Sequence, residues 1–195
     1  MRRQAFTVLV LLLLFARAAV PQGDPLGPEF RVNTFITGDE IASSVARDPS
    51  GNFVVVWNSP QDGSSDGVFG QRYNGSGVPL GSEFRVNTYT TGFQEFPSVA
   101  ADSTGNFVAV WHSNQEGSVG IVGQRFASSG APLGSEFRVN TYTTGNQYFP
   151  SVAADSAGNF VVVWTSYGQD GSGLGIFAQR YGPIVPVELM HVSVE

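Results

Sequence analysis

GSEFRVNTYTTGFQEFPSVAADSTGNFVAVW, residues 81–111, carries the pattern on which the fold turns. EFRVNT places Phe84 and Val86 on one face and Glu83 and Arg85 on the other, the two-residue period of a half-buried strand. Ser98 to Ala101 reads as a short second strand. Asn106 to Trp111 is apolar on both faces and predicts a central strand covered on each side. A fourth strand runs from Ile121 to Phe126, and no stripe of helical period interrupts the series.

The same string occurs three times, which makes the internal repeat the first fact about the chain. EFRVNT recurs at Glu29, Glu83 and Glu136, and GNFV leads to Trp57, Trp111 and Trp164. The QR pair recurs at Gln71-Arg72, Gln124-Arg125 and Gln179-Arg180. From the Phe of EFRVNT to the Trp the separation is 27 in every copy, whereas Trp to Gln varies over 14, 13 and 15. The variable stretch is therefore an exposed loop, where insertions disturb little backbone pairing.

Turn chemistry agrees with this division. Asp48, Asp102 and Asp155 each open a D-x-x-G turn between the second and third strands, with Asp accepting backbone N–H groups and Gly supplying positive φ. The Asp column is read as structural. The units fall at about 29–82, 83–135 and 136–182 within a β domain of residues 19–182. The first EFRVNT stands alone and none follows Tyr181, an offset that lets the first strand complete the last unit and that a cut through an open array would equally produce.

The leader differs from the rest. Arg2 and Arg3 precede the apolar run Ala5 to Ala16 and the triplet Ala16-Arg17-Ala18, which predicts a signal peptide over residues 1–18. That run is well short of the ~20 residues that cross a bilayer as a helix, so no membrane insertion is expected after cleavage. With no Cys, the fold is held by packing rather than disulfides. Loss of the leader leaves seven Arg, no Lys and sixteen acidic residues, a field that excludes nucleic acid as a partner.

GSEFRVNTYTTG, PSVAADSTGNFVAVW and QDGSGLGIFAQRY together resemble a tandem repeat of large secreted bacterial proteins, over about Pro25 to Tyr181. The resemblance implies an exported chain of β-propeller-like blades, secreted, periplasmic or at the cell surface, and brings no catalytic residues with it. Three blades are fewer than the roughly four to eight of a closed ring. A homodimer pooling its blades, a partial ring, or a twelve-stranded trefoil or prism are the solutions. Residues 183–195 form a tail, whose Val185 to Met190 resembles the ends of exported bacterial proteins.

Catalytic equipment is sparse. His112 and His191 do not recur between copies, and no nucleophile-elbow motif accompanies the many Ser. A glycosidase needs only two carboxylates, for which Glu95, Glu116, Asp62 and Asp66 stand outside the repeated columns. Asp62, Ser64 and Asp66 have the spacing of the opening half of a calcium loop, but the twelfth position is Tyr73 where a bidentate Glu belongs. A Gly/Ser/Asp-rich hairpin has the same composition without metal, so no cofactor is expected and calcium is the one alternative.

Trp57, Trp111 and Trp164 end all-apolar strands and are expected to fill the space between units. Ligand-binding aromatics are sought among those that differ between copies, namely Phe93, Tyr148 and Tyr167, with the loop acids Asp62, Asp66, Glu116 and Asp170. Arg72 and Arg125 are expected to pair across a hairpin with Glu83 and Glu136, and Arg180 to hold the same structural place in the third copy. The expected function is a non-enzymatic secreted binding or adhesion module for a glycan or envelope polymer. The alternatives are an assembly module that binds another copy of itself and a glycan-acting hydrolase.

Overall fold

A computed structural model describes residues 23–63, 65–115 and 117–185. The leader, Ser64, Glu116 and the tail from residue 186, with His191, lie outside the described residues. The chain divides into two units, Met1–Phe30 and Arg31–Glu195. The described residues of the first unit, 23–30, form no strand. The second unit holds all eleven described strands, and among the described residues there is no helix. Among the described residues no helix is long and apolar enough to cross a membrane.

The strands are β1 (Ile41–Arg47), β2 (Phe53–Ser59), β3 (Gly67–Tyr73), β4 (Phe84–Arg85), β5 (Gln94–Ala101), β6 (Phe107–Ser113), β7 (Gly120–Phe126), β8 (Phe137–Arg138), β9 (Gln147–Ala154), β10 (Asn159–Tyr167) and β11 (Leu174–Pro183). They form three antiparallel sheets, ordered β1-β2-β3-β4, β5-β6-β7-β8 and β9-β10-β11. The sheets are open, so the described strands do not close into a twelve-stranded barrel. Each D-x-x-G turn forms as its chemistry dictates. Asp102 Oδ1 accepts from the amides of Thr104 (2.8 Å) and Asn106 (3.0 Å), and Gly105 takes φ +83°.

EFRVNT ends a sheet instead of opening one. Phe84 pairs with Gly70 and Arg85 with Phe69, so the start of each copy supplies the outer edge of the preceding copy's sheet. Among the described residues the third sheet has three strands and no such edge, while residues 29–34, expected to complete it, form no strand. Residues 31–34 sit against the first sheet: Tyr73 Oη donates to Val32 O (3.0 Å) and Thr34 N to Glu83 Oε2 (2.7 Å).

The sheets stack face to face around two apolar cores. In the first, Val54, Val56 and Val68 meet Phe107, Ala109 and Trp111; in the second, Val108, Val110 and Ile121 meet Phe160, Val162 and Trp164. Both faces of the second sheet are thus covered, and β6 is buried along its whole length. Full burial stabilises by about 1.5–3 kcal/mol for each large apolar side chain. The first strand of each sheet lies beside the next, β1 against β5 and β5 against β9. The link repeats atom for atom: Val99 N donates to Ser44 Oγ (3.2 Å) and Val152 N to Ser98 Oγ (3.1 Å).

Candidate functional site

At one end of β1, β5 and β9 the pairing with the neighbouring strand slips, between Ile41 and Ser44 and between Glu95 and Ser98. At the slip Ala42, Phe96 and Phe149 take φ of 54°, 53° and 53°, left-handed values that cost a non-glycine residue on the order of 1–3 kcal/mol. Neighbours hold this backbone in place. Asn58 accepts from Phe96 N (3.0 Å) and donates to Gln94 O (3.3 Å). The buried Gln94 is fixed in turn by Asn87 Nδ2 (3.0 Å) and by its own amide bond to Asp66 O (2.8 Å).

The residue after the strand Trp, Asn58 in the first sheet, is His112 in the second, and the register sets it opposite Glu95. His112 is 3% exposed, and Nε2 lies 3.4 Å from Glu95 Oε2. Burial lowers its pKa to about 4, so the ring is neutral at pH 7 and donates from Nε2, while Nδ1 has no hydrogen-bond partner among the described residues. Glu95 is pushed above the usual carboxylate range by burial and then by the charge of Asp66.

Four aromatic rings surround the imidazole: Phe93 at 5.8 Å, Phe96 at 5.2 Å, Tyr148 at 5.6 Å and Phe149 at 6.0 Å between centroids. Phe93 and Tyr148 are half-buried, and the other two are exposed. Phe96 is 41% and Phe149 58% exposed, and they meet edge to face at 5.1 Å. The arrangement is an exposed aromatic pair seated on a buried, uncharged histidine, with a carboxylate at its edge.

The structure brings the expected residues Phe93 and Tyr148 together here and sets Asp66 near Glu95. Tyr167 ends β10, exposed, with its amide on Asn146 O (3.0 Å). Asp62 and Asp170 fold back on strand-opening glycines, where a Cβ at Gly67 or Gly175 would lie 2.6 Å from the carboxylate oxygen. Asp170 also accepts from Ser172 N (3.1 Å). Among the described residues no three His, Asp or Glu side chains converge to hold a metal.

Trp57, Trp111 and Trp164 are buried, the latter two in the inter-sheet cores. Asp48, Asp102 and Asp155 each accept the amide of their turn Asn. In place of the expected Arg–Glu hairpin pairs, Arg72 and Arg125 each make one contact within their own sheet's meander and one with the meander that follows, Ser128 for Arg72 and Phe160 for Arg125. Arg72 donates to Ser128 O (2.6 Å) and Leu80 O (3.0 Å), and Arg125 lies 4.4 Å over the Phe137 ring. Glu83 instead takes Thr34 and Gln61, and Glu136 takes Thr88 N.

Phe96 and Phe149 escaped the sequence reading because they recur in the second and third copies, where the first has Ala42, and a search for aromatics that differ between those two copies passes over them. The signal was the aromatic-proline pair, Phe96-Pro97 and Phe149-Pro150, on an edge strand where Pro is tolerated. The Glu95–His112 pairing depends on the register across a bulge, which spacing alone does not fix.

No family model and no curated protein matches the chain. Among solved structures it is similar to an α-L-arabinofuranosidase from Lactobacillus brevis, with TM-score 0.51, 11% identity, and coverage of 79% of this chain and 57% of that one. A protein of unknown function from Dyadobacter fermentans aligns with TM-score 0.50 and 12% identity over 73% of this chain and 38% of its own. An endo-1,4-β-xylanase from Bacteroides thetaiotaomicron gives TM-score 0.44 at 10% identity over 74% and 60%. The first two share the fold, and the chain spans little more than half and well under half of their lengths.

Proposed function

We propose that this chain is an exported, non-catalytic repeat module whose three sheets are propeller-like blades, and that it binds a carbohydrate polymer at Phe96 and Phe149. The observation that carries the reading is the exposed pair of rings held in left-handed backbone above His112. Strained backbone is retained where the surroundings over-determine it, and such positions cluster at ligand sites. Exposed ring faces suit the apolar C–H faces of sugars, and the partly exposed Glu95 carboxylate accepts hydroxyl donors. The acidic, Lys-free composition suits a neutral ligand better than a polyanion. Export and the blade reading rest on the leader and on the resemblance to repeats of large secreted bacterial proteins.

A glycan array and polysaccharide pull-downs test this. Wild type binds a polysaccharide, and Phe96→Ala and Phe149→Ala each weaken binding about tenfold, the equivalent of ~1.4 kcal/mol per ring, with unchanged circular dichroism. Silence of the folded wild type across neutral glycans refutes the reading. The raised carboxyl of Glu95 beside Asp66 favours hydrolysis as the second reading, since a glycosidic general acid needs that shift. Glu95→Gln separates the two: binding without turnover in both proteins keeps the first, and wild-type cleavage lost in the variant establishes the second.

A further inference from the structure

Each internal junction between sheets is made the same way. An EFRVNT segment first adds to the open edge of the preceding sheet. Val86 N donates to Val68 O and Val68 N to Asn87 Oδ1 (both 2.8 Å); at the next junction Val139 N donates to Ile121 O (2.8 Å) and Ile121 N to Asn140 Oδ1 (2.7 Å). The sheet that follows then packs onto the face so framed. Val54, Val56 and Val68 are covered at the first junction, Val108, Val110 and Ile121 at the second.

Both halves of a third junction stand open on the molecule. The outward face of the third sheet presents Val161, Val163 and Ile176 at the positions of Val108, Val110 and Ile121. Ile176 is 75% exposed where Val68 and Ile121 are 0% exposed, and Val163 is 36% exposed where Val56 and Val110 are 0%. Among the described strands, β11 ends its sheet with none beyond it. At the other end of the stack, Val45 is exposed where its equivalent Val99 is buried in the core.

The segment that would close the junction is already shaped. Asn33 Nδ2 donates to Phe35 O (2.6 Å), as Asn87 does to Tyr89 O (2.7 Å) and Asn140 to Tyr142 O (2.8 Å). Yet Asn33 Oδ1, the atom whose equivalents receive Val68 N and Ile121 N, has no hydrogen bond among the described residues. In its own chain Val32 and Thr34 bond to residues of the first sheet's unit, away from the edge their segment matches.

We propose that copies of this chain associate head to tail, with residues 30–33 of one copy adding to β11 of another and the first sheet of the former covering Val161, Val163 and Ile176 of the latter. The occupant is a second copy because the two free surfaces are the two sides of a junction the chain makes twice within itself. The association is heterologous, so it closes as a ring or continues as a filament. Ala178 stands where Gly70 and Gly123 stand in the other sheets. A Cβ at Gly123 would lie 2.7 Å from the Phe137 ring, so the ring of Phe30 must tilt to enter, and Ala178→Gly tightens the association.

Solution mass across a wide concentration range, with cysteine cross-linking, tests the assembly. Wild type has at least twice the chain mass, and Ile176→Asp returns it to a monomer with unchanged circular dichroism. The chain has no Cys, so Phe30→Cys and Ala178→Cys serve as single reporters, opposed in register as Phe84 is to Gly70. A mixture of the two variants forms a 30–178 disulfide and neither forms one alone. A wild type that is monomeric at every concentration overturns the proposal, as does 30–30 or 178–178 cross-linking or a mass unchanged by Ile176→Asp.

Discussion

Acid should weaken this fold through His112. The ring is buried, and its pKa falls from 6.5 to about 4 because burial penalises the charged form. The unfolded chain therefore binds a proton between pH 6.5 and 4 that the folded chain refuses. Stability is lost as pH falls through that window and is unaffected by this group at pH 7. A gap of about 2.5 pH units at ~1.4 kcal/mol each sets the loss at up to about 3 kcal/mol by pH 4. Glu95 opposes it: a carboxyl held above its ordinary value in the folded chain gains protons more readily there, so its titration favours the fold on acidification and trims the net loss. The variant His112→Asn isolates the histidine, because the first sheet already uses Asn58 at this position to bind Gln94 O and Phe96 N. Urea midpoints should match or favour the variant at pH 7, and wild type should fall away from it by about 2–3 kcal/mol toward pH 4. Equal pH slopes in the two proteins, or an NMR titration of His112 near 6.5, would refute the reasoning.

Trp111→Ala removes a fully buried side chain from between the first two sheets and should cost about 3–5 kcal/mol by calorimetry. Asp102→Ala strips the turn of its amide acceptor and should cost about 2 kcal/mol, against near zero for the exposed Tyr167→Ala. Ser98→Ala removes the acceptor for Val152 N between β5 and β9 and should cost about 1 kcal/mol in chemical denaturation.

Strands and turns were legible because each is specified by residues a few positions apart. Asp102 and Gly105 close a turn by themselves, and the unbroken apolar run of Phe107 to Trp111 reports burial on two faces without knowledge of what covers them. What was not legible depends on which sheet faces which. Val110 and Val163 occupy the same place in the same motif, and one is buried while the other is half open only because the second sheet has neighbours on both sides. The site follows the same rule. Phe96, Phe149 and His112 lie about 16 and 37 positions apart in the chain and converge only once a bulge turns β5 and β9.

The Arg column shows what identical residues do in unlike surroundings. Arg72, Arg125 and Arg180 end the same QR pair, yet Arg72 reaches across to Ser128 O, Arg125 lies over Phe137 and Phe160, and Arg180 is exposed on the open face. Burial pulls the first two below the ordinary guanidinium value, which leaves them charged, so their attraction for carbonyl and ring acts in a partly dry setting. Lysine cannot reproduce a planar group laid on a ring. Arg125→Lys should therefore cost about 0.5–2 kcal/mol, whereas Arg180→Lys in dilute monomer should cost nothing measurable. Equal losses at positions 125 and 180 would mean that the column serves its own hairpin and not the junction between sheets.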